Sequence, residues 1–156
     1  MREATAVLAR RMLRERLKAS LATLDGTSGS PYVSMVSIAD DVDGSPILLL
    51  SDLALHTANI RADARAALLL DSTDAAGDPG TGHRLTLTGR LLKTDEPAIR
   101  QRYLTRLPSA AVYADFGDFA FWRMAISHGH FIGGFGRIQP LTRTDLIEAN
   151  GAAGTA

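Results

Sequence analysis

The sequence predicts a mainly β protein, a mostly antiparallel barrel with peripheral helices. Short β-branched or alternating apolar segments recur along the chain, about seven in all, between clusters of Gly, Asp and Ser. The first three follow one another as a meander joined by short turns. No regular strand–helix–strand alternation follows, which argues against a doubly wound parallel sheet. The 156 residues suit one domain. At that length a core forms without a disulfide or zinc staple.

The elements follow in order. Residues 2–19 have high helix propensity. Ala6, Leu8, Ala9, Met12, Leu13 and Leu17 share one half of the helical wheel, and Arg10, Arg11, Arg14, Glu15 and Lys18 the other. Residues 20–24 form a short apolar strand, and DGTSGS at 25–30 is a turn. Residues 31–39 (PYVSMVSIA) alternate Ser with apolar residues and open on Pro, which a strand tolerates at its first position. DDVDGS at 40–45 is a hairpin loop, and 46–51 is a fully buried strand. Residues 52–63 form a short helix and 66–71 a strand, followed by a polar loop over 72–82. Residues 84–92 (RLTLTGRLL) alternate most cleanly: Leu85, Leu87 and Leu91 face one way, Arg84, Thr86, Thr88 and Arg90 the other. A helix runs from Thr94 or Asp95 as N-cap to about Arg106, with Pro97 in its first turn. Residues 113–127 and 130–139 read as two strands around a turn at His128–Gly129, and a short helix follows at 144–148. The units are an N-terminal helix (1–19), a barrel (20–141), and a short helix with a tail expected to fray (142–156).

Composition excludes several classes of function. There is no Cys, hence no disulfide framework, Cys-ligated zinc, iron–sulfur cluster or Cys nucleophile. Seventeen Lys and Arg balance seventeen Asp and Glu, so the basic excess of a dedicated nucleic-acid binder is missing. No apolar run approaches the ~20 residues that span a bilayer. The N-terminal segment MREATAVLARRMLRERLKAS scatters its arginines and lacks an apolar signal core. A cytoplasmic protein is expected, with neither nucleic acid nor membrane as partner.

Few motifs carry chemistry. Gly77 and Gly82 have phosphate-loop spacing, but His83 and Arg84 stand where Lys and Ser or Thr are required. His128 and His130 could hold one metal if they lay on a strand. Gly129 and the lack of a third ligand at a telling spacing favour a surface turn, and no metal site is assigned. The stretch LLLSDLALHTANI (48–60) joins a buried strand end to a helix start. Its free amides with Ser51, His56, Thr57 and Asn59 suit an anion such as phosphate, or Ser51 or Asp52 simply caps the helix. Arg84, Thr86 and Thr88 make a polar stripe, facing either solvent or a ligand at a dimer seam. No catalytic residue is assigned.

The ordered segments PYVS, LLLSDLALHTANIRADARAALLL, GDPGTGHRLTLTGRL, YLTRLPSAAVYADFGDFAFWRM and GGFGRIQPL resemble the FMN-binding split-barrel superfamily of pyridoxamine-phosphate-oxidase-related proteins. The resemblance is greatest to its haem-utilisation, HugZ-like branch, without that branch's C-terminal domain. It implies an antiparallel split barrel that forms a homodimer and holds FMN in clefts between the subunits. The backbone of Val33, Ser34 and Met35 would lie along the isoalloxazine, with Ser51, His56, Thr57 and Asn59 around the ribityl phosphate. His56 and Thr57 replace an Arg-Lys pair of the oxidases, and Arg84 stands where they place a flavin-contacting Gln. The phosphate charge is then expected from Arg84, with Arg61 and Arg65 as rivals. The expected function is an FMN-dependent oxidoreductase of unknown substrate. The alternatives are a haem-binding or haem-degrading protein with His128, His130 or Arg137 nearest the ligand, or a dimeric module without cofactor. The aromatic segment 116–122 is a candidate dimer seam.

The oxidases' C-terminal Arg-x-His substrate clamp has no counterpart in GGFGRIQPLTRTDLI. Pyridoxamine phosphate oxidase activity should therefore be absent. Pyridoxal phosphate formation at roughly 1 per second or faster would contradict this.

Overall fold

The computed structural model describes residues 2–74, 77–134 and 136–148. Eight strands form one antiparallel sheet, β1 (Lys18–Leu24), β2 (Pro31–Ser37), β3 (Ala39–Asp40), β4 (Pro46–Ser51), β5 (Arg65–Ser72), β6 (His83–Thr94), β7 (Phe119–Gly133) and β8 (Ile138–Thr142). Their order is β2-β1-β5-β6-β7-β4-β3, and β8 also pairs with β7. The helices are α1 (Arg2–Glu15), α2 (Leu55–Ala62), α3 (Pro97–Arg106) and α4 (Arg143–Leu146). The mainly β, split-barrel expectation holds. The tail expected to fray and Phe135 of the GGFG segment lie outside the described residues.

The inner face of the sheet makes the main core. Leu21, Leu48, Leu50, Leu68, Leu70, Leu85, Leu87, Leu91, Trp122, Met124, Ile126 and Phe131 meet there. Ala6, Ala9, Met12 and Leu13 of α1 join them, the small alanines letting the helix sit close. The helix stops at Glu15 rather than at 19, because Lys18 already pairs with Ser37 in the β1–β2 ladder. Leu17 is consequently exposed. A second core lies outside β4 and β7, where Ile99 and Tyr103 of α3 pack on Ala39, Ile47, Leu49 and Phe121. Tyr103 meets Phe121 edge-on at 5.4 Å.

Further boundaries differ from expectation: the strand expected over 31–39 ends at Ser37, and Ala39–Asp40 form β3 after Ile38. The turn placed at His128–Gly129 does not exist, since β7 runs unbroken through both residues. The chain reverses instead where Gly133 N–H donates to Arg137 C=O at 2.9 Å, with Gly134 and Gly136 at φ of 74° and 84°. Gly129 is a packing residue: a Cβ there would stand 2.9 Å from Leu146 Cδ1. Residues 113–118 are not strand but turns that follow a short 3₁₀ segment, Pro108–Val112. Finally, α2 begins at Leu55, after a turn over 52–54.

Asp40 ties the helices to the sheet. Its side chain is 3% exposed and accepts from Arg14 at 3.1 Å, Arg102 at 2.7 Å and Arg106 at 3.0 Å. Arg102 Nε also donates to Asp40 C=O, and Arg106 to Arg14 C=O. One buried carboxylate thus joins α1, β3 and α3. Asp40→Asn should destabilise the fold by about 3 kcal/mol, the low end for a broken buried pair, because the arginines keep partial contact with water. Urea unfolding checks it, and an unchanged midpoint would show the cluster to be dispensable.

Candidate functional site

A cavity of about 260 Å³ opens between the edge strand β2 and the corner where β4 ends. Met35, Val36, Leu49, Ser51, Ala54, His56, Tyr113 and Phe119 line it. The corner is fixed by pairing: Ser51 stands opposite Phe119 at the start of β7. Ser51 Oγ donates to Asp118 Oδ2 at 2.9 Å and accepts from Leu53 N–H at 3.1 Å. Phe119 packs on Tyr113 at 5.0 Å between ring centroids, giving the cavity an aromatic wall.

The ladder settles what β2 offers. Asp25 N–H donates to Ser30 C=O and Ile38 N–H to Leu17 C=O, so alternate pairs between them carry the hydrogen bonds. Val33, Met35 and Ser37 fall on the other pairs, and their backbone groups face away from β1. No second strand pairs with β2 among the described residues. The Val33 and Met35 side chains are 65% and 70% exposed. Ser34 faces α2 instead, where a hydrogen bond links its Oγ to His56 Nδ1 at 3.1 Å, the donor depending on the tautomer. His56 Nε2 is closed off from solvent and has no hydrogen-bond partner among the described residues.

The sequence-derived site is only partly assembled. Met35, Ser51 and His56 meet at the cavity, with Ser34 behind His56. Thr57 and Asn59 do not: both are buried and serve the fold. Thr57 Oγ1 donates to Ser51 C=O at 2.6 Å, and Asn59 Nδ2 to Thr23 Oγ1 at 3.0 Å. Arg84 is not brought to the corner within the chain. It pairs with Asp71 and Ile132 and donates to Gly80 C=O at 2.9 Å. Ile132 lies thirteen residues along β7 from Phe119, roughly 40 Å of strand. His128, His130 and Arg137 belong to that far end as well. The rival cations are also engaged, Arg61 with Asp52 at 2.7 Å and Arg65 with Asp63 at 2.6 Å.

The corner is therefore not cationic. Among the described residues no Lys or Arg lines the cavity; Asp118 flanks it, and Asp52 flanks it paired with Arg61. Sequence reasoning missed Tyr113 and Leu49 as site residues, and took 113–127 for one strand. In the candidate seam 116–122, Phe121 and Trp122 are core residues and only Phe116 is a well-exposed aromatic.

The β-barrel family model of CREG matches residues 1–148, and the chain belongs to that family. Over 101 residues it is 44% identical to the chloroplastic non-canonical haem oxygenase HOZ of Arabidopsis thaliana, covering 62% of this chain and 30% of that protein. The structure of a haem-binding protein from Mycobacterium smegmatis is 30% identical, with a TM-score of 0.83, over 92% of this chain and 59% of the other. The chain thus spans well under two thirds of either relative. The haem storage protein HutZ of Vibrio cholerae, 19% identical with a TM-score of 0.67 over 85% of this chain and 94% of that one, shares the fold. All three are named for haem and none for a flavin, so the FMN expectation gains no support from them.

Burial holds the His56 imidazole below its ordinary value of 6.5. The unfolded chain then binds the extra proton first, and stability contributed here falls as pH drops below 6.5 toward the lowered folded value. His56→Gln should flatten the melting temperature against pH in that window. An identical slope in the variant would assign the dependence to other groups.

Proposed function

We propose that the chain binds haem in the cavity between β2 and the Ser51–Phe119 corner, as a homodimer whose second copy completes the cleft. One observation carries this: the cavity walls are mostly apolar and aromatic, and among the described residues no Lys or Arg lines them. A flat apolar macrocycle suits Met35, Val36, Leu49, Leu50, Tyr113 and Phe119. A dianionic ribityl phosphate wants a permanent cation, but Arg61 is already engaged by Asp52, and Asp118 adds a carboxylate beside Ser51. The haem-named relatives support the same ligand.

Bound haem iron would supply oxygen chemistry, and the protein's part is to bind, orient and tune it. Tyr113 and Phe119 would cover the macrocycle and exclude water. His56 stays neutral through burial, and Ser34 fixes its ring. Degradation, as in the oxygenase, is the activity to test.

The second copy enters through size and exposure. Ligand pockets run to roughly 300–1,000 Å³, and one chain offers about 260 Å³. Around its mouth Leu53 is 86% exposed and Phe116 54%, beside Val33 and Met35. An apolar collar of this kind marks an interaction surface.

The purified protein should take up haem with a Soret band and sediment as a dimer. Phe119→Ala should weaken haem binding about tenfold or more, as loss of a buried aromatic anchor does. Saturable FMN binding without haem uptake would overturn the assignment.

A further inference from the structure

His128 and His130 stand two residues apart on the outer face of β7, and both are exposed. A bulge puts them there. Between Thr88 and Gly89 the β6–β7 register shifts by one, leaving Ser127 unpaired. Before it, Trp122, Met124 and Ile126 fill the core; after it, Phe131 does. Without the extra residue both imidazoles would point into the barrel. Gly129 between them pairs with Leu87 and Leu141, so the segment is held as strand.

Residues two apart on a strand share a face at roughly 6–7 Å, within reach of one ion between two imidazoles. Their cross-strand neighbours are Thr86 and Thr88 on one side and Pro140 and Thr142 on the other. These compact side chains leave the rings uncovered. Among the described residues neither ring has a hydrogen-bond or ion-pair partner, so both are free to ligate.

We propose that His128 and His130 form a two-imidazole site for a borderline divalent metal ion, Zn²⁺, Ni²⁺ or Cu²⁺, one per chain, with water in the remaining positions. No third His, Cys, Asp or Glu joins them among the described residues. The site is therefore open, and weaker than a four-ligand structural zinc site. It lies nine residues along β7 from Phe119, roughly 30 Å of strand, and does not rest on the haem assignment.

The test is calorimetric titration of zinc chloride and copper chloride into chelator-treated, tag-free protein. His128→Gln, His130→Gln, the double variant and His83→Gln are titrated alongside. One saturable ion per chain is expected. Each single variant should lower affinity at least about tenfold. The double variant should abolish uptake, and His83→Gln should leave it intact. Copper bound to the wild type should show two-nitrogen hyperfine structure in its EPR spectrum. Circular dichroism confirms that the surface variants fold. No saturable uptake up to about millimolar metal, or uptake that survives the double variant, overturns the proposal. Haem uptake lost together with metal uptake in the double variant would mean that both histidines serve haem, and would equally overturn a separate site. Failure of haem to bind at all leaves the metal result standing.

Discussion

The structure depends on one long strand that must satisfy three neighbours. β7 pairs with β6 along nearly its whole length, with β4 through its first third and with β8 through its last. A strand of fifteen residues cannot keep one side chain face toward a curved core without accumulating twist. The bulge at Ser127 resolves this by bending the strand and exchanging its two faces. Arg143 steadies the irregularity by donating to Ile126 C=O at 3.0 Å. Gly89 sits against it on β6, where a Cβ would fall 2.2 Å from Ala125 C=O. At one end β7 supplies Phe119 to the cavity; at the other it presents two imidazoles to solvent.

The second constraint is ionic. The outer faces of β4 and β7 need cover, and α3 supplies it through Ile99 and Tyr103. The arginines on that helix would resist close approach to Arg14 on α1 unless a carboxylate stood between them. Asp40 is that carboxylate, and Arg123 repeats the arrangement with Asp41 and Asp43 at 2.9 and 2.6 Å. Burying one charge among several partners removes the unpaired-charge penalty that would otherwise forbid the packing. The position of α3 then sets the start of the 108–118 segment, and with it the aromatic wall at Tyr113. Core packing and cavity shape are linked through this cluster.

Most of the fold was legible because it rests on local signals. The alternation of residues 84–92, the Pro-initiated strands at 31 and 46 and the turn clusters each act within a few residues. What was not legible is non-local. Gly129 reads as a turn because its need for smallness comes from Leu146, seventeen residues away. Thr57 and Asn59 read as ligand donors because their partners, Ser51 C=O and Thr23, appear only once α2 docks. Arg84 lies at the far end of β7 from Ser51 within one chain, and motif order carries no information about distance along that strand. Met35, Ser51 and His56 line one cavity, and their grouping was legible because strand edge and helix start are local features.

The charge at the Ser51 corner follows from the same packing. Asp118 is recruited to hold Ser51 Oγ, which in turn caps the turn at Leu53. Asp52 is recruited to Arg61 of α2. Both carboxylates therefore stabilise the approach to α2: Asp52 occupies the Arg61 guanidinium, and Asp118 keeps a negative charge beside the corner where an incoming phosphate would need cations. The helix N-terminus offers only partial positive charge, which the nearby Asp118 carboxylate opposes. A ligand whose contact with this corner is apolar avoids the conflict. Its acidic groups could then remain at the rim, in water, while Val36, Leu49 and Phe119 take up the flat remainder.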